Sequence, residues 1–268
     1  MSITPPDSSL EAALDSVKEQ PRTVEKVVVV MPAYKAAQTL ERTYRDIPGV
    51  VDTVILVDDA SDDDTAEVAR SLGIETVVHK QNRGYGANQK SCYDAALAHD
   101  PDVVVMVHPD YQYDPRLIPY FIGYLEMNVC DVMLGCRIRT RRETLQGGMP
   151  IYKYLSNRLL TIFENFALGQ NVGDFHSGFR VYTREVLETI PYHRNSDDFV
   201  FDTEFLAQAV YFGFRIGDSP MPVRYFEEAS SINFTRSLRY GLSTMLTMAK
   251  FTLQKWKFAN FKIFRRDQ

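Results

Sequence analysis

Five apolar β formers, Val103 to Val107, run into His108-Pro109-Asp110, with Gln112 and Asp114-Pro115 just beyond. A strand of that composition is buried, so the imidazole and carboxylate at its end face either a neighbour or a ligand. The structural alternative is that His108 packs and Asp110 caps the helix that Pro115 opens. Two other apolar runs stop in the same way. "VVVVMPAY" ends at Pro32 and Tyr34, and "VDTVILVDDASDDDT" ends at Asp58 and Asp59, with the acids from Asp62 to Asp64 placed to cap the next helix.

These groups need elements that hold them together. "KVVVVMP" is too continuously apolar for a half-exposed strand and reads as a central parallel strand covered on both faces. "AAQTLERTYRDI" follows with helical spacing, then strand "VDTVILVDD", helix "DDDTAEVARSLG", strand "IETVVHK", a helix from about Gly86 to His99, and strand "DVVVMV". This alternation predicts an α/β fold with a mostly parallel, doubly wound sheet and right-handed crossovers. Ligands bind such sheets beyond the carboxyl ends of the strands. The three strand ends above therefore share one edge. A dinucleotide site would need GxGxxG after the first strand, where this chain has "MPAYKAAQ".

Composition narrows the classes further. With 268 residues, 45% hydrophobic, the chain can bury a full core, and its formal charge of −5 argues against a basic nucleic-acid binder. Three cysteines without CxxC spacing suggest a reducing compartment and no structural zinc. Residues 1–25 read as a flexible extension with a helical turn or two around Leu10, Leu14 and Val17, and not as a signal peptide. No apolar run approaches the roughly 18 residues that cross a bilayer.

In order and spacing, "VVVVMPAYKAAQTL", "VILVDDASDDDT", "NRGYGANQK" and "VHPDYQYDP" resemble the nucleotide-binding half of family 2 glycosyltransferases, whose fold is called GT-A. "GCRIRTRR", "GGMPIYKYLSNRLLTIFENFALG", "VGDFHSGFRVYTREVLE" and "FVFDTEFLAQAVYFGF" resemble its dolichol-phosphate mannosyltransferase-like branch. The resemblance spans residues 26–235 as one GT-A domain. It implies that Pro32, Tyr34, Asp59, Asn82, Asp110 and Gln112 bind the nucleotide sugar. An aromatic face beside an acceptor does suit a nucleobase's ring and donor edge. The family carries Asp-x-Asp where this chain has His108 and Asp110, so the implied cofactor is a divalent metal, Mn²⁺ or Mg²⁺, held by Asp110 and His108. An imidazole ligand favours Mn²⁺, because Mg²⁺ prefers oxygen.

On the acceptor side the resemblance implies that Arg137, Lys153, Arg158 and Arg224 hold a polyprenyl phosphate, guanidinium forks being well suited to phosphate oxygens. Asp110, Asp174 and Glu204 are the implied catalytic carboxylates. A phosphate acceptor is already anionic, whereas a sugar hydroxyl needs a base.

Residues 236–268 alternate apolar positions (Leu242, Met245, Leu246, Leu253, Trp256) with Arg236, Arg239, Lys250, Lys255 and Lys257. This predicts a basic amphipathic helix and tail that lies on an anionic membrane or packs on the domain or a second subunit. The expectation is an inverting transferase using a UDP- or GDP-linked sugar and a polyprenyl phosphate, peripheral on the cytoplasmic membrane face. The alternatives are a soluble transferase acting on a glycan or small hydroxyl acceptor, and a sugar-nucleotide-binding protein without activity.

Overall fold

The computed structural model describes residues 20–138, 140–146, 150–224 and 234–266. Among them, strands β1 (Val27–Ala33), β2 (Thr53–Asp58), β3 (Glu75–Val78), β4 (Val103–Val107), β5 (Val132–Cys136), β6 (Phe179–Thr183) and β7 (Ile216–Pro220) form one sheet in the order β3-β2-β1-β4-β6-β5-β7. The helices are α1 (Leu40–Arg45), α2 (Thr65–Ser71), α3 (Tyr85–Leu97), α4 (Ile118–Glu126), α5 (Arg141–Gln146), α6 (Ile151–Leu168), α7 (Arg184–Thr189), α8 (Phe201–Tyr211) and α9 (Phe234–Lys255).

The unbroken Val run of β1 is explained by burial on both faces. Val28 and Val30 join Ile55, Val57, Val104 and Met106 in one core, while Val27, Val29 and Met31 join Leu56, Val103 and Val105 in the other. Each such side chain withdrawn from water contributes roughly 1.5–3 kcal/mol. Ala33 pairs with Asp58 across β1 and β2, and Val30 with Met106 across β1 and β4. The strand order reverses beside β1, so a crevice opens at this shared edge.

β6 runs antiparallel to both of its neighbours, with Phe179 opposite Val107. This reversal positions the second half of the site. A strand running backwards begins where its neighbour ends, so the segment before Phe179, with Asp174 and His176, arrives at the edge that carries His108 and Asp110.

Residues 20–25 are anchored, which corrects the expectation of a flexible stretch as far as Glu25. The Arg22 amide donates to the Glu126 carbonyl, and its guanidinium pairs with Asp131 and donates to the Cys130 carbonyl at 2.8 Å. The helical turns expected around Leu10 to Val17, and the loop at 225–233, lie outside the described residues. The C-terminal helix is an integral part of the domain, since α9 packs on α6 and α8 and buries Met248 and Phe251 in the core.

Helix α3 starts against the 196–197 loop, where the Gly86 amide donates to the Asp197 carbonyl at 2.8 Å. A β-carbon at Gly86 would press into the Ser196 carbonyl and lie 2.9 Å from Phe201 Cβ. Gly86→Ala should therefore cost about 2–3 kcal/mol of stability by overpacking against backbone, measured as a lowered denaturation midpoint. An unchanged midpoint would show that this contact is slack.

Candidate active site

A cleft of about 1150 Å³ opens at the carboxyl edge of the sheet. Its lining includes Pro32, Tyr34, Asp59, Asn82, His108, Asp110 and Gln112 at one end, and Arg137, His176, Arg236, Arg239 and Tyr240 at the other. Tyr85, Gly178 and Asp202 line it as well.

At the first end, Tyr34 is half exposed, and Asp59 is buried within the β2 terminus. Asp59 Oδ1 accepts from the Arg83 amide at 2.8 Å and contacts His79 Nδ1 at 2.7 Å, while Oδ2 accepts from the Gly84 amide at 2.9 Å. The carboxylate thus clasps the loop that opens α3, satisfying orphan amides there, and keeps one lone pair on Oδ2 for a ligand. Asn82 donates to the Asp59 carbonyl at 3.1 Å and is held by the same clasp.

His108 continues β4 into the cleft. Burial pushes its imidazole below the ordinary value, against the upward pull of Asp110 and Asp202, so the ring is neutral at neutral pH. Tyr85 stacks on it with centroids 5.7 Å apart, and Phe199 stacks on Tyr85 at 4.9 Å. Gly178 leaves the room the ring needs, since a β-carbon there would lie 2.7 Å from His108 Nε2. Asp110 Oδ1 accepts from the Gln112 amide at 3.0 Å, which orients the carboxylate at the strand end. A neutral imidazole and a carboxylate form a borderline donor pair that fits Mn²⁺ better than Mg²⁺. Among the described residues no group of three or more His, Cys, Asp or Glu side chains is arranged around an ion. The protein would supply two ligands and leave the rest to a bound diphosphate or water.

Beneath the cleft lies a group that sequence reading missed. Arg180 is fully buried at the start of β6, with Nη1 3.0 Å from Asp202 Oδ1. Asp202 also accepts from Tyr85 Oη at 2.8 Å and Gln89 Nε2 at 2.9 Å. The available signal was an arginine inside the apolar stretch "GFRVY", which requires a buried carboxylate partner.

At the far end, Arg137 Nε and Nη2 donate to Asp174 Oδ2 and Oδ1 at 2.7 and 3.1 Å. The Asn157 amide at 3.1 Å and the His176 backbone N–H at 3.0 Å complete the set. Burial alone would raise the Asp174 carboxyl, but Arg137 overrides it and holds the group well below the usual carboxylate range. A carboxylate so saturated orients Arg137 and is unfit to accept a proton.

Glu204, expected beside it, does not line the cleft. Its Oε2 accepts from the Ser196 amide at 2.6 Å, and burial pushes its carboxyl up. Lys153, Arg158 and Arg224 are also outside the lining. Arg158 donates to the Gly173 carbonyl at 2.8 Å, and Arg224 lies over Tyr111 at 4.6 Å with Asp114 at 3.6 Å. The charges of Arg158 and Arg224 are therefore used to brace loops. Arg236 and Arg239 line this end of the cleft, because the first turns of α9 form its wall.

The sequence profile of glycosyl transferase family 2 matches residues 28–191. A dolichyl-phosphate hexose transferase of Haloferax volcanii is 30% identical over 204 residues, covering 75% of this chain and 84% of that protein. A polyprenol monophosphomannose synthase of Mycolicibacterium smegmatis is 25% identical over 221 residues, covering 76% and 80%. In fold the chain is similar to glucosyl-3-phosphoglycerate synthase of Mycobacterium tuberculosis, solved with Mn²⁺, UDP and glucosyl-3-phosphoglycerate. The TM-score is 0.66 at 20% identity, over 94% of this chain and 86% of that one. Profile, relatives and cleft agree, and the chain belongs to glycosyl transferase family 2, a GT-A-fold glycosyltransferase.

Proposed function

We propose that this protein transfers a sugar, with inversion, from a nucleoside diphosphate sugar to a polyprenyl phosphate at a membrane surface. The observation that carries this is the state of the carboxyl groups. Asp174 is locked to Arg137 and Glu204 faces the 196–198 loop. Neither can deprotonate a hydroxyl, so an acceptor that arrives already anionic is favoured. The polyprenyl- and dolichyl-phosphate enzymes among the relatives support the same class.

In this reading Pro32, Tyr34, Asp59 and Asn82 seat the nucleoside, and Gln112 borders its diphosphate. His108 and Asp110 would hold the divalent ion, which neutralises charge on the departing diphosphate. A phosphate oxygen of the acceptor, steered by Arg137, Arg236 and Arg239, forms a bond to the anomeric carbon from the face opposite the leaving group. The carbon–oxygen bond to the nucleoside diphosphate breaks, and its electron pair departs on that diphosphate. No proton moves and no covalent enzyme intermediate forms. Preoriented guanidinium groups around such developing charge contribute about 3–4 kcal/mol each.

The exterior supports a lipid acceptor. Helix α6 exposes Ile151, Leu155, Leu159, Ile162 and Phe166 at helical spacing. Helix α9, packed beside it, exposes Leu238, Leu242, Met245, Leu246 and Leu253, and Trp256 follows. No helix among the described residues is long and apolar enough to cross a membrane. Two adjacent apolar stripes with Lys250, Lys255 and Lys257 nearby suit an anionic bilayer surface, where each cation adds about 1 kcal/mol. Leu238 and Leu242 flank Arg239 and Tyr240, so a tail on the bilayer side and a phosphate in the cleft are compatible.

Two outcomes are expected. Incubated with UDP- and GDP-sugars and polyprenyl phosphate, the protein forms lipid-linked sugar from one donor, with Mn²⁺ better than Mg²⁺. His108→Asp shifts the preference toward Mg²⁺ by roughly tenfold. Turnover only on hydroxyl acceptors would overturn the acceptor assignment. Separately, the double variant Leu242→Glu, Leu246→Glu should bind vesicles of anionic phospholipid at least about tenfold more weakly while the fold is retained. Equal sedimentation of both proteins with the vesicles would remove the membrane face from the account.

A further inference from the structure

At the basic end of the cleft, the lining residues His176 and Tyr240 belong to a cluster that reaches back to buried Glu164 and takes no step in the reaction described above. His176 Nδ1 lies 2.7 Å from Tyr240 Oη on α9, and its Nε2 lies 3.0 Å from Glu164 Oε2 on α6. Tyr240 Oη lies 3.2 Å from Thr203 Oγ1 at the start of α8, and Thr203 is 3.4 Å from Thr244, again on α9. The His176 and Tyr240 rings meet edge to face at 5.5 Å. Through this one imidazole the loop before β6 reaches α6, α8 and α9.

Glu164 is 1% exposed, and among the described residues neither its oxygens nor His176 Nε2 meets hydrogen-bond geometry with any group, so the two face each other at ion-pair distance. A buried carboxylate in that state needs a cation. A ring protonated on Nε2 alone would accept from the Tyr240 hydroxyl, whereas the doubly protonated ring that the unpaired carboxylate calls for donates to Tyr240 and leaves its hydroxyl to donate to Thr203.

We infer that the His176–Glu164 pair is a latch that positions the α9 wall, acting through Tyr240 to hold Arg236 and Arg239 over the cleft. His176 and Glu164 are thus positioning residues, and the latch does not depend on which donor or acceptor is used.

The charged and titratable groups facing His176 are Glu164 from α6, Asp174 from its own loop, Arg137 from beyond β5 and Tyr240 from α9. Burial pushes the imidazole down, but Glu164 and Asp174 outweigh it and the net direction is upward. A histidine whose folded value is raised stabilises fully below its ordinary value of about 6.5 and loses that contribution as pH rises through the raised value. The latch is therefore closed in acid and neutral solution and weakens toward alkaline pH.

The test is amide hydrogen exchange over residues 236–246 of the full chain, expressed as protection factors so that the intrinsic pH dependence cancels. In the native protein, protection should fall by about tenfold between about pH 6 and pH 9, while α3 stays unchanged. Glu164→Gln removes the reason for the positive charge, so α9 should be weakly protected and insensitive to pH. Nitrogen-detected NMR of His176 in the native protein should show both ring nitrogens protonated at neutral pH, a readout that needs no variant. A neutral His176, or α9 protection that is flat with pH in the native protein, would overturn the latch. Neither readout requires a substrate, so they fail or succeed independently of the proposed reaction.

Discussion

The buried ion pair between Arg180 and Asp202 is the interaction on which the rest of the site depends. A guanidinium with no exposure carries an uncompensated cost of several kcal/mol unless a carboxylate meets it. Asp202, in the first turn of α8, meets that need, and its remaining acceptor capacity takes the Tyr85 hydroxyl and the Gln89 amide of α3. A single carboxylate therefore joins the reversed strand, the helix after it and the helix before β4. Tyr85, fixed in this way, is the surface on which the His108 ring rests. The end of the cleft that carries His108 inherits its geometry from a salt bridge beneath it.

The same logic recurs around the cleft. Arg137 is oriented by Asp174, and His176 stands against Glu164. Arg137 and His176 each have a carboxylate behind them, so these two groups are aimed before any ligand enters. Preoriented charge of this kind avoids reorganisation during reaction, which is how electrostatic catalysis gains over water. It also explains why Asp174 and Asp202 serve as anchors, which is what favours an anionic acceptor in the reaction proposed above.

Much of this was legible in the residues. The Val runs announced β1 and β4 because strands covered on both faces cannot alternate with polar groups, and their breaks at Tyr34, Asp59 and His108 marked the binding edge. The direction of β6 was not legible, since a five-residue apolar strand reads alike either way, yet it brings Asp174 and His176 to the cleft. Glu204, Arg158 and Arg224 have suitable chemistry but point at a loop amide, a loop carbonyl and Tyr111, and such targets depend on tertiary packing. Asp202 was overlooked because its partner is distant in sequence. The basic amphipathic pattern of α9 fits either a membrane surface or packing on the domain, and it does not reveal that the first turns also wall the cleft. One helix can serve both roles because its faces differ.

The account turns on His108 standing in for a carboxylate as a metal ligand. Pulsed electron paramagnetic resonance of the protein with Mn²⁺ and a nucleoside diphosphate would test this directly. The prediction is a ¹⁴N coupling from one imidazole together with ³¹P couplings from the diphosphate, the nitrogen signal being lost in His108→Asp while the phosphorus signals remain. Phosphorus couplings without nitrogen in the unmodified protein would contradict it and leave Asp110 as the sole protein ligand of that pair.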